Sequence, residues 1–182
     1  MSQRKSGYDR KYLDKYETPP WVALALQPLI PDNVLFWEPA CASGNISKTL
    51  FATYSSDLVT DYGDSGVDFL QTTKMPKNCN SVITNPPFGK DAEKFIRHSL
   101  KLLSGNPEGF IAMLLPVDFD SAKTRRDIFC ENHGLLSFAG KLVLTKRITW
   151  FEPATASPSQ NHAWYVWQQS YDFPQLWYHY EK

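Results

Sequence analysis

Short apolar runs that stop abruptly in loops, with amphipathic segments between them, constrain this chain most. Val34-Leu35-Phe36-Trp37, Ser81-Val82-Ile83-Thr84 and Phe110 to Leu115 are continuously apolar or small rather than alternating. Strands covered on both faces read this way. A further short strand is expected near Thr53 to Leu58. Helices are expected between them. One opens at Thr18-Pro19-Pro20 and stops before Pro31, with proline tolerated in the first turn. A second covers Ile46 to Tyr54. A third covers Asp91 to Leu103, where Ala92, Phe95, Ile96, Ser99, Leu102 and Leu103 recur at helical spacing. A fourth covers Ser121 to Glu131. This alternation predicts an α/β sandwich with a mostly parallel central sheet. The last two strands, Lys141 to Thr145 and Ala163 to Gln168, have only the Pro- and Ser-rich loop Phe151 to Asn161 between them, which predicts an antiparallel hairpin at the sheet edge. Alternation should turn Trp164 and Val166 one way, Tyr165 and Trp167 the other. The aromatic tail Tyr171 to Tyr180 fits either a cap or a dimer contact.

A chain of 182 residues has room for one domain. Residues 1–15 carry Arg4, Lys5, Arg10, Lys11 and Lys15 with little to bury, and are expected to form a flexible basic arm before a single domain over 16–182. With 19 basic and 19 acidic side chains, the chain is not a generically basic nucleic-acid binder. A segregated basic face remains compatible, with Lys141, Lys146 and Arg147 beside Trp150 as one candidate and Lys123, Arg125 and Arg126 as another. Cys41, Cys79 and Cys130 form no CxxC pair, so neither a disulfide framework nor a metal site is expected. Residues 1–15 lack the apolar stretch of a signal peptide, and the longest apolar run, Phe110 to Val117, is too short to span a bilayer. The expectation is a cytoplasmic protein with no membrane partner.

In open α/β sheets, ligands bind beyond the carboxyl ends of the strands. Three strand ends carry unusual residues. The first is Glu38-Pro39-Ala40-Cys41-Ala42-Ser43-Gly44-Asn45, a loop of small residues that a ligand can approach closely. A P-loop is excluded there, because Ala42 and Ser47 stand where it needs glycines. The second is Asp57, with Asp61 and Asp64 as neighbours. A carboxylate in this place can accept both hydroxyls of a ribose. The third is Asn85-Pro86-Pro87-Phe88. Its prolines stiffen the backbone and leave carbonyls without ladder partners. The Asn adds an amide oxygen and the Phe an aromatic face. Together they suit a planar amino group that must be held and made nucleophilic.

In their order these motifs resemble class I S-adenosylmethionine-dependent methyltransferases, and more narrowly those that modify N6 of adenine in DNA. The resemblance runs from Tyr16 to about Gln168 and implies a Rossmann-like methyltransferase fold with S-adenosylmethionine as cofactor. By resemblance, Tyr16, Thr18 and Pro19, with the loop of Glu38, Pro39, Ala40, Cys41 and Gly44, surround the methionine part. Asp57 holds the ribose, Asp68 the adenine amino group, and Phe69 the adenine ring. Asn85, Pro86, Pro87 and Phe88 form the catalytic motif, and the target base is flipped out or single-stranded. The family's loop usually has a glycine where this chain has Ala42, so weaker or displaced cofactor binding is expected. There is no room for a separate target-recognition domain, so target choice falls to the loops after Pro116 and Phe151 or to a partner subunit. Close variants of the motif act on RNA bases or on protein glutamine. A non-catalytic cofactor-binding subunit is a further alternative, disfavoured by the intact Asn85 to Phe88 motif.

Overall fold

Each continuous apolar run becomes a strand. The computed structural model describes residues 16–150, 160–169 and 174–180. Within them run β1 (Phe36–Glu38), β2 (Tyr54–Asp57), β3 (Asp64–Ser65), β4 (Ser81–Thr84), β5 (Phe110–Pro116), β6 (Leu136–Leu144), β7 (His162–Gln169) and β8 (Gln175–His179). They form one sheet in the order β3-β2-β1-β4-β5-β7-β6-β8. Among these, β7 alone runs against its neighbours, pairing antiparallel with β5 and β6. The expected fold class, Rossmann-like α/β with a mostly parallel sheet, is therefore present.

Helices cover both faces, which is why the strands are apolar on both sides. On one face, α1 (Pro20–Leu26) and α2 (Asn45–Leu50) pack with Phe36, Ile83, Phe110, Ala112, Leu114, Trp164 and Val166. On the other, α3 (Lys90–Leu103) and α4 (Arg126–Cys130) pack with Trp37, Val82, Ile111, Met113, Tyr165 and Trp167. The two pairs on β7 point as alternation requires. Buried indoles keep hydrogen-bond partners: Trp164 Nε1 donates to the Val22 carbonyl at 2.8 Å, and Trp167 Nε1 to that of Ile128 at 3.0 Å.

Boundaries differ where local conformation overrides pattern. The helix expected to reach Tyr54 ends at Leu50, because Phe51 adopts a left-handed φ of 58° and turns its ring into solvent. That frees the following residues to form β2. The helix expected over Ser121 to Glu131 is split. Ala122 is extended and separates 3-10 turns at Phe119–Ser121 and Lys123–Arg125, and α4 follows. Phe119 anchors the break, buried in the core with Arg125 stacked on it at 3.8 Å. The antiparallel hairpin β6–β7 forms, with β7 inserted between β5 and β6. The outer edge beyond it belongs to β8, drawn from the aromatic tail and parallel to β6. Gly140, at φ 147°, permits this: a Cβ there would strike the Gln175 backbone.

The expected basic arm, 1–15, and residues 151–159 of the expected loop lie outside the described residues. No helix among those described is long and apolar enough to cross a membrane. From β1 the chain proceeds outward through β2 and β3, and from β4 outward the other way through β5. The sheet's switch point is therefore the crevice between β1 and β4.

Candidate active site

The loop after β1 is held from below. Ala42 N–H donates to Asp57 Oδ2 at 2.9 Å, and the Thr60 hydroxyl donates to the Ala42 carbonyl. Ala42 itself sits at φ 46°, in the left-handed region. Gly44, at φ 81°, packs so closely on Tyr62 that a Cβ would enter its ring. The Cys41 thiol is buried and donates to the Tyr62 carbonyl at 3.1 Å, and burial pushes its pKa up to about 11. It is a neutral strut rather than a nucleophile. Glu38 is 1% exposed and accepts from both the N–H and the hydroxyl of Ser47. Burial outweighs those bonds and raises its carboxyl to about 8.

The end of β4 faces this loop. The Asn85 amide nitrogen donates to the Thr18 hydroxyl at 3.2 Å and to the Tyr16 carbonyl at 3.4 Å. A carbonyl only accepts, so the amide must present its nitrogen there and turn Oδ1 the other way. Oδ1 is buried and has no hydrogen-bond partner among the described residues. Pro86 is buried and Pro87 exposed. The Phe88 ring meets Tyr16 at 4.6 Å, Trp150 at 5.8 Å and His162 at 6.4 Å between centroids.

A small, open cleft lies between these parts, with Tyr16, Thr18, Glu38, Ala40, Cys41 and Asn85 among its lining. Five of the residues expected around the methionine part thus meet Asn85. Pro19, Pro39 and Gly44 shape the adjoining backbone. The small side chains of Ala40 and Ala42 leave room, and Ser43, whose buried hydroxyl is unpaired among the described residues, offers a polar contact. These features fit the amino-acid end of S-adenosylmethionine.

Of the three candidate acids, Asp57 is tied to the loop through Ala42, Asp64 accepts from the Tyr54 hydroxyl at 2.8 Å, and Asp61 is exposed. Directly after Asp57, Leu58 and Val59 are 59% and 56% exposed. This apolar surface beside an acid was missed in the sequence, though the doublet is visible there. Asp68 caps the 3-10 turn Phe69–Gln71, accepting from Leu70 N–H at 3.0 Å. Phe69 is placed otherwise than expected. Its ring is 2% exposed and packed on Trp37, Phe95 and His98 at 4.8–5.0 Å, with no open face for a ligand. Its apolar character serves the core.

The basic candidates also separate. Lys141 is partly buried, bonded to Asp120 at 2.6 Å and to the Val117 carbonyl at 3.1 Å. Lys146 and Arg147 lie on the β6–β7 connection, at the sheet edge that carries Asn85. No group of three or more His, Cys, Asp or Glu residues suited to a metal occurs among the described residues. The buried side-chain polar atoms left unpaired among the described residues are Ser43 Oγ, Thr84 Oγ1, Asn85 Oδ1 and His162 Nδ1. All four lie at the carboxyl edge of the sheet.

The sequence matches no family model and no curated protein. Solved structures do match. The 23S rRNA methyltransferase ErmE superposes with a TM-score of 0.53 at 13% identity, covering 85% of this chain and 69% of that one. A Listeria monocytogenes protein assigned to the class I S-adenosylmethionine-dependent methyltransferases gives 0.54 at 17%, covering 87% and 62%. A TehB-like S-adenosylmethionine-dependent methyltransferase of Corynebacterium glutamicum gives 0.51 at 12%, covering 85% and 89%. At such identities the likeness is one of architecture: the chain has the fold of class I methyltransferases.

Proposed function

We propose that this chain transfers the methyl group of S-adenosylmethionine to the exocyclic N6 of adenine in DNA. One observation carries the reading. Asn85 is clamped through its nitrogen, so its oxygen is a fixed, unsatisfied acceptor at the switch point. An unpaired buried acceptor is costly unless a ligand completes it.

S-adenosylmethionine, when bound, supplies a methyl group on a cationic sulfur. Asn85 Oδ1 and the Pro86 carbonyl accept hydrogen bonds from the target amino group and draw its nitrogen toward a tetrahedral shape. Its lone pair is then free to attack. As positive charge develops on that nitrogen, the two preplaced dipoles stabilise it without reorganising. No strong base is needed, since the proton leaves after transfer. Phe88 stacks on the base. Because Oδ1 is sealed from solvent, the base enters only as the side chains around it part. A duplex base must flip to do so. Tyr16, Thr18 and the loop from Glu38 to Gly44 hold the methionine part, Asp57 holds the ribose, and Leu58 offers the adenine ring an apolar surface. Asp68 takes the adenine amino group.

The test is transfer of isotope-labelled methyl to unmethylated DNA and RNA offered separately, with nucleosides resolved by mass spectrometry. Labelled N6-methyladenine from DNA is expected. Asn85→Ala should lower the rate about 10²- to 10³-fold, as loss of one preorganised transition-state contact does, while calorimetry still registers cofactor binding. Label confined to RNA would move the substrate to RNA. No label in either, with cofactor bound, would sink the reading.

A further inference from the structure

The carboxyl edge of the sheet continues past Asn85. Strand β7 is antiparallel to both β5 and β6, so β6 runs parallel to β5, and β8 runs parallel to β6. Both β6 and β8 therefore end at the edge that carries Asn85, and three side chains gather at those ends. The Trp21 ring, on α1, lies 18° from parallel to the His179 ring, with centroids 6.3 Å apart. Lys146 Nζ stands over Trp21, 5.3 Å from its centroid. Trp21 and His179 are half-buried, and Lys146 is exposed. The end of β8 is fixed, because the His179 carbonyl accepts from both the N–H and the hydroxyl of Thr145, at 3.2 and 2.8 Å.

One chain segment joins this cluster to the Asn85 to Phe88 loop. It runs from Lys146 through Arg147 to Trp150, whose ring meets Phe88 at 5.8 Å. Arg147 braces it, with Nε donating to Asn161 Oδ1 at 3.0 Å. The charge along this strip has one sign. Helix α1, residues 145–150 and β8 contain Lys146 and Arg147 but no carboxylate side chain. Its complement is a polyanion. The rings add a second requirement. Near-parallel aromatic planes receive bases that are free to stack, which the bases of an intact duplex are not. The methyl-transfer chemistry above uses neither Trp21 nor His179.

We propose that Trp21, His179 and Lys146 form a stacking platform for the single-stranded flank of the target nucleotide, with Lys146 and Arg147 on its phosphates. This rests on the DNA reading above and narrows it to a strand unpaired around the target. Three strand spacings of about 4.8 Å set the end of β6 about 14 Å from that of β4. A duplex strand advances about 3.4 Å per nucleotide and an extended single strand further, so the platform lies within about four nucleotides of the target adenine.

Fluorescence anisotropy with single-stranded oligonucleotides carrying one adenine tests this, with an abasic nucleotide stepped through the nearest positions on either side. The wild type should lose about five- to a hundredfold in affinity where the abasic position meets the platform, the range of one base–aromatic stack. Trp21→Ala should lose a similar factor on the intact strand and become indifferent to that position. Its slope of log affinity against log salt should be unchanged, since stacking releases no counterions. Trp21→Phe, which keeps a ring, should retain part of the discrimination. His179→Ala serves in place of Trp21→Ala should melting show that one unfolded. A wild type that treats every abasic position alike, a Trp21→Ala chain that still senses the same one, or a single strand that does not bind overturns the proposal. Methyl transfer is read separately on the same strands. An abasic step without N6-methyladenine sinks the function above and supports the platform, whereas N6-methyladenine without an abasic step sinks the platform alone.

Discussion

Ala42 keeps a backbone conformation that glycine adopts freely, at φ 46°. Its sequence alone suggested a methyl group in the way of the cofactor. The structure adds that the loop has not relaxed to suit the alanine, because Asp57 and Thr60 hold both its N–H and its carbonyl. Ala42→Gly should relieve about 1 kcal/mol of strain, offset by a similar gain in unfolded-chain entropy. Stability should therefore change little and cofactor affinity should hold or rise in calorimetry. A loss of affinity would mean the methyl group contacts the cofactor. Glu38 gives a sharper test. Its folded pKa, about 8, is raised above the ordinary 4.5, so its contribution to stability is fully present below about pH 4.5 and is lost as pH rises through about 8. Melting temperature should fall between about pH 4.5 and 8, and Glu38→Gln should flatten that fall. Cysteine reactivity should divide likewise. Exposed Cys130 should alkylate in the native protein, and buried Cys41 only on unfolding, as peptide mass spectrometry would show. Glu38 and Asn85 were legible in the sequence because a polar residue ending an apolar strand is conspicuous. Phe69 was not, since a ring beside an acid reads alike whether it meets a ligand or a core.

At the scale of elements, the loop from β1 into α2 is a joint fitted to its neighbour. Gly44 is needed twice, for φ 81° and for contact with Tyr62. Gly44→Ala should cost at least about 1 kcal/mol from backbone conformation alone. It should also weaken cofactor binding by pushing the loop off Tyr62. An unchanged melting temperature would contradict that packing. The contrast between α3 and α4 shows what element prediction depends on. The apolar positions of α3 repeat at helical spacing over 14 residues, and its pattern sufficed. The segment before α4 carries comparable residues but breaks at Ala122, because Phe119 is drawn into the core between Phe129 and Tyr165. That is a tertiary demand absent from any local window.

For the whole molecule, equal numbers of basic and acidic groups make nucleic-acid binding a matter of where charge lies. Lys146→Ala and Arg147→Ala should each weaken DNA binding and reduce the slope of log affinity against log salt by about 1. Lys141→Ala, which breaks the pair with Asp120, should lower melting temperature and leave that slope unchanged. Fluorescence anisotropy across a salt series separates the two. The sequence by itself determined the layered α/β class and the apolar strands whose ends carry Glu38 and the Asn85 to Phe88 segment. Each follows from local apolar runs and the residues that terminate them. Only the tertiary structure decided that β7 inserts beside β5, bringing His162 and Trp150 to the edge that carries Asn85. It also decided that Phe69 and Lys141 are spent on the fold. Those outcomes depend on strand pairings and burial between residues far apart in the chain, which no local pattern records.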